Sequence, residues 1–95
     1  MNKHEKLAFE VVREVMSEYI SGYENSMSDY EEDTKEYKEA KEFLKKPHEE
    51  LKVFLYDACM GFIETVGNEF YKNVKFAGKD FILNRIDKHL IKWGY

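Results

Sequence analysis

Apolar residues recur along this chain at α-helical spacing, in four stretches with few helix breakers between them. The first stretch predicts a helix over 3–23. Ala8, Val11, Val12, Val15, Tyr19, Ile20 and Tyr23 form one broad apolar face. Glu10, Arg13, Glu14, Ser17, Glu18 and Ser21 fill the other. Gly22 disfavours helix by about 1 kcal/mol relative to alanine, so the last turn is expected to fray or bend. Asn25 to Ser28 reads as a break. Ser28 and Glu31 then stand at capping-box spacing, where each side chain satisfies a backbone N–H at a helix start. Asp29, Glu31, Glu32 and Asp33 crowd that turn, which the helix dipole favours. A second helix is predicted over 29–46. Its narrow seam is Tyr30, Tyr37 and Leu44, with Ala40 and Phe43 beside it, and it suits a peripheral position.

Pro47 ends that helix and suits the first position of a third, expected over 47–72. Leu51, Phe54, Leu55, Ala58, Phe62 and Val66 form one apolar face. Val53, Tyr56, Met60 and Ile63 form a second, rotated from the first. Only a narrow polar stripe remains, through Glu50, Asp57, Gly61, Glu64 and Asn68. A helix apolar on most of its circumference is covered on most of it. The third helix is therefore expected to be central, or to carry a homodimer interface through Val53, Tyr56, Met60 and Ile63. Between Gly67 and Gly78, Phe70, Lys72, Val74 and Phe76 alternate as a short strand would. A lone strand has no pairing partner, so helix followed by a loop at Phe76, Ala77 and Gly78 is expected. A fourth helix over 80–93 places Ile82, Ile86, His89, Leu90 and Trp93 on one face. The predicted architecture is all-α: a single domain over 1–95, a small bundle of about four helices with short connections.

The chain has 95 residues, of which 43% are apolar and 36% charged, too apolar for disorder. A chain this short buries only about 60–65% of its unfolded surface, so partner contacts matter more than usual. The net charge is −4, which disfavours a general nucleic-acid binder. The charge is uneven. Glu10 to Asp33 holds eight acids and one base, and Phe70 to Tyr95 holds six bases and two acids. One cysteine, Cys59, permits no intramolecular disulfide. Lys3, Glu5, Glu10, Arg13 and Glu14 interrupt any signal-peptide pattern, and no apolar run reaches the roughly 20 residues of a membrane span. A cytoplasmic location is expected.

No catalytic pattern stands out. Glu10, Glu14 and Glu18 form one acidic row, and Glu50, Asp57 and Glu64 another. Residues seven apart on a helix stand about 10.5 Å apart along its axis, too far to share one ion. The rows read as solvated faces. His4, His48 and His89 are scattered, none at metal-ligand spacing to another or to Cys59. His48 is expected to be exposed, His89 to sit at a boundary, and Cys59 to be buried and inert. No nucleophile elbow or glycine-rich phosphate loop is present. The reading is therefore not an enzyme, with no cofactor and no metal.

Two surfaces remain. Lys72, Lys75, Lys79, Arg85, Lys88 and Lys92 interleave with Phe70, Tyr71, Phe76 and Trp93, a pattern that suits single-stranded nucleic acid. The acidic overall balance favours a solvated face instead. Around the first break, Tyr19, Tyr23, Tyr30 and Tyr37 interleave with Glu24, Asp29, Glu31, Glu32 and Asp33. Acids mixed with tyrosines suit a basic surface on a partner. In general style the chain is short, acidic, helical, motif-free and tyrosine-rich. In this it resembles accessory proteins of phages and mobile elements, which typically inhibit or regulate a host protein by binding it. The resemblance implies an inhibitor or regulator, for example an anti-defence factor. The expected function is a non-enzymatic protein-binding module acting through the acidic, tyrosine-bearing surface. The alternatives are a nucleic-acid-binding accessory protein using the basic C-terminal helix, and a small ligand- or metal-binding helical bundle.

Overall fold

The first helix starts at a reciprocal cap. Asn2 Oδ1 accepts the Glu5 N–H at 2.8 Å, and Glu5 Oε1 accepts the Asn2 N–H at 3.0 Å. Each carboxamide or carboxylate oxygen thus satisfies a donor that has no partner within the helix. In the computed structural model, which describes residues 1–66 and 73–95, α1 spans Lys3–Met16. A π-helical turn, Ser17–Ser21, leads directly into α2, Gly22–Asp29. Then come α3 (Lys35–Leu44), α4 (His48–Val66), a 3-10 turn (Asn73–Ala77) and α5 (Lys79–Lys92). Counting α1 to α2 as one rod, the described residues form an all-α bundle of four helices without a strand.

Helical spacing explains the core. Leu7, Ala8, Val11, Val12, Val15 and Met16 bury one face of α1, and Ile20 extends it through the π turn. Leu51, Leu55, Cys59 and Ile63, four residues apart, are the buried row of α4. Ile82, Ile86 and Leu90 do the same for α5, and Val74 packs among them. Each buried Leu, Ile, Val or Met side chain contributes about 1.5–3 kcal/mol by leaving water. The hub is α1, which packs against α4, α5 and the 3-10 turn, while α3 packs mainly on α2. The central position expected for the third helix belongs to the first.

The first break is displaced from its expected place. The first rod does not end at Tyr23 but runs to Asp29. Gly22 keeps helical angles, φ −61° and ψ −46°. The Ser26 and Ser28 hydroxyls bond back to the Gly22 and Glu24 carbonyls, at 3.1 and 3.3 Å. Serines that bond to the preceding turn continue a helix instead of capping one. Ser28 and Glu31 form no capping box. The chain turns at Tyr30, which is extended, and restarts at Thr34. Thr34 Oγ1 accepts the Tyr37 N–H at 3.3 Å and donates to the Glu31 carbonyl at 2.7 Å. The second helix is thus 35–44 instead of 29–46, and Tyr30 lies outside it. Ala40 and Phe43 are buried, while Tyr37 and Leu44 are half-buried. The inward stripe runs through the residues expected to flank the seam.

The second apolar face of the third helix does not exist as a unit. Ile63 is fully buried, Tyr56 and Met60 are half-buried, and Val53 is 56% exposed. Among the described residues α4 packs mainly on α1 and α5, and Val53 lies on the side turned away from both. The expected continuation of this helix to 72 lies outside the described residues, as does the first half of the stretch between Gly67 and Gly78. Its end is a 3-10 turn, after which Gly78 turns the chain at φ +94°, a conformation that favours glycine.

Candidate functional site

The α2–α3 connection gathers acids around one exposed ring. Asp29 closes α2, and Tyr30, Glu31, Glu32 and Asp33 precede the Thr34 cap. All five are exposed, Tyr30 by 47%. The loop sits at the free end of a helical hairpin, because α3 has little but α2 to lean on.

The other predicted tyrosines turn elsewhere. Tyr19 and Tyr23, one turn apart, meet Phe43 of α3 with ring centroids at 6.4 and 4.5 Å. Phe54 of α4 closes the cluster edge-on, 5.0 Å from Phe43 and 5.3 Å from Tyr19. Such tilted and edge-to-face pairs are favoured by the ring quadrupoles. This cluster ties α3 to α4 and leaves both tyrosines half-buried. Tyr37 is half-buried on α3, and Glu24 is exposed. Burial, with the nearby Glu24 charge, pushes the Tyr95 phenol above its ordinary pKa.

A polar clasp joins α4 to α5, and it corrects the expectation that His48 is exposed. Gly94, at φ +86°, ends α5 in a Schellman turn. Gly94 N–H donates to Ile91 at 3.1 Å and Tyr95 N–H to Leu90 at 2.8 Å. The turn brings the Tyr95 main-chain oxygen back to His48 Nδ1, at 3.1 Å. His48 Nε2 meets Asp87 Oδ1 at 2.6 Å. Both ring nitrogens face acceptors, an arrangement that favours the doubly protonated ring. The Asp87 hydrogen bond and then the Tyr95 oxygen hold the His48 pKa above its ordinary value. The same bond to His48 lowers the Asp87 pKa. Lys52 Nζ completes the group, 3.0 Å from Glu49 and 3.8 Å from Asp87. Helix phase places His48 and Lys52 one turn apart, but nothing local in the sequence points either at Asp87.

His48, Glu49 and Asp87 are close enough to share a metal ion, and among the described residues no other such trio occurs. The donor set fits poorly. A zinc ligand must be a neutral imidazole with a free lone pair. Here both ring nitrogens already face hydrogen-bond acceptors, and the Lys52 ammonium lies beside both carboxylates. The arrangement is chemically an ion-pair clasp.

The basic residues do not form one stripe. Arg85, Lys88 and Lys92 share a side of α5 by helical spacing. Lys79 lies on the opposite side, over the Tyr56 ring at 5.3 Å. The Arg85 guanidinium stacks on Phe9 and Phe81, at 5.2 and 5.3 Å. Lys72 falls outside the described residues, and Lys75 lies in the 3-10 turn. Glu10 and Glu14 border an open groove of about 780 Å³ between α1 and α5, floored by Phe9, His89 and Trp93. His89 is half-buried, and its Nδ1 lies 2.8 Å from the Arg85 carbonyl. Cys59 is buried, which pushes its thiol pKa up to about 12. No described helix is long and apolar enough to cross a membrane.

Neither a known protein family, nor a curated protein, nor a solved structure matches this chain.

Proposed function

We propose that the chain is a non-enzymatic protein-binding module, an inhibitor or regulator that engages a basic surface on another protein through the α2–α3 loop. The observation that carries this reading is Tyr30. It stands 47% exposed, with Asp29, Glu31, Glu32 and Asp33 all exposed around it. A tyrosine offers a large contact area at small entropic cost, the usual composition of an interface anchor. Acids around it steer a basic partner and exclude acidic ones, which raises on-rate and specificity. The expected surface contracts accordingly: Asp29, Tyr30, Glu31, Glu32 and Asp33 make contact, while Tyr19 and Tyr23 hold the hairpin in place.

Affinity capture tests it, with the wild-type chain, Tyr30→Ala, and a Glu31→Lys/Glu32→Lys/Asp33→Lys variant as baits in parallel. The expected result is a protein retained by the wild type, released by salt, and lost to both variants. Equal retention by all three baits would end the hairpin reading.

A further inference from the structure

On the open side of α4 the chain leaves an apolar pair bare. Val53 is 56% and Phe54 38% exposed. Helix geometry surrounds Val53 with the residues three and four positions away: Glu49, Glu50, Tyr56 and Asp57. Three of those four are acids. With Lys46 at its edge, the patch borders a hollow of about 520 Å³. Lys52 pairs with Glu49 and lies 3.8 Å from Asp87. Glu50 and Asp57 form no ion pair among the described residues.

The occupant follows from charge and rigidity. A second copy docked α4 to α4 would set Glu50 and Asp57 against the same acids of its partner, and such juxtaposition is disfavoured. That argues against the homodimer expected through Val53. A partner with bases beside an apolar anchor meets no such penalty. Phe54 is already held by Tyr19 and Phe43 at 5.3 and 5.0 Å, so little order has to be created on binding. The acids bracket Val53 by one helical turn on each side, about 5–6 Å along the axis. A helix carrying an apolar residue with lysine or arginine one turn before and after it has the matching period.

We propose that this patch is a docking site for a basic amphipathic helix of a partner protein. Its apolar anchor rests on Val53 and Phe54, and its bases pair with Glu50 and Asp57. The site is separate from the hairpin loop and stands whether or not that loop binds anything.

The probe is a synthetic fluorescent helical peptide, leucines on one face and lysines on the flanks. It is titrated against the full chain by anisotropy at physiological salt, beside a scrambled peptide of equal composition. The ordered peptide is expected to bind at least about tenfold more tightly than the scrambled one. Val53→Asp and Glu50→Lys/Asp57→Lys, each with an unchanged circular-dichroism spectrum, are expected to weaken it by about tenfold or more. Glu10→Lys/Glu14→Lys, in the groove between α1 and α5, should leave it within about twofold. Equal binding of the two peptides, or undiminished binding by Val53→Asp, overturns the proposal. So does a wild-type dimer in sedimentation that Val53→Asp dissolves, since the patch would then belong to a second copy.

Discussion

The imidazole of His48 lies 2.6 Å from the carboxylate of Asp87, on a helix 39 residues further along the chain. This contact fastens the start of α4 to the last turns of α5. It is strongest while His48 is protonated and Asp87 ionised, as a charge-assisted pair. His48 has a raised folded-state pKa, so its contribution is complete below the ordinary value of 6.5 and fades as pH rises through the raised one. Asp87 has a lowered one, so its contribution is complete above 3.8 and fades as pH falls through the lowered one. Between those ordinary values the clasp is fully formed. The gap in melting temperature between wild type and His48→Gln should be widest there and narrow at alkaline pH. A gap that stays constant to pH 9, about two units or more past the ordinary histidine range, would contradict the clasp.

The two sides of α4 should respond differently to truncation. Leu55 is fully buried, and Leu55→Ala should cost about 2–5 kcal/mol. In a domain of this size each kcal/mol lowers the melting temperature by about 4–8 °C. Val53→Ala, on the exposed side, should stay within about 0.5 kcal/mol. Urea denaturation of both variants measures the contrast.

The hairpin turn is capped at Thr34. Thr34→Ala removes the acceptor for the Tyr37 N–H and should destabilise by about 1 kcal/mol. Ser28→Ala removes only a bond back to the Glu24 carbonyl and should cost less. The reverse order in thermal melts would move the cap back to Ser28.

Gly22 sits in an uninterrupted helix with ordinary helical angles. A Cβ added there meets no atom within 4 Å. Gly22→Ala should therefore stabilise the fold by about 0.4–1 kcal/mol, mainly by restricting the unfolded chain. Denaturant midpoints give the sign directly.

Cys59 should react with thiol reagents only through opening of the core. Burial holds its pKa at about 12, and the thiolate is the reactive form. Labelling should be slow in buffer at pH 8, about the range where a free cysteine reacts readily, and fast in denaturant. Rapid labelling of the native chain would mean the α4 row is not closed.

Much of the fold was already legible in the periodicity. Ala8, Val11, Val12 and Val15 on α1, Leu51 and Leu55 on α4, and Ile82, Ile86 and Leu90 on α5 face inward as their spacing requires. Asn2 and Glu5 also stand at capping-box spacing, a signal legible in the sequence. Tertiary structure decided the rest. Ser28 and Thr34 are both competent caps. The choice went to the one that lets α2 continue and α3 pack back on it. Tyr19 and Tyr23 could face a partner or a core, and Phe43 and Phe54, brought from distant positions, drew them inward. His48 and Asp87 meet only because α5 crosses α4 and Gly94 folds the chain back. Local sequence sets helical phase, because a helix repeats every 3.6 residues whatever surrounds it. Which phase is covered, and which charges meet across the gap, depends on contacts between residues far apart in the chain.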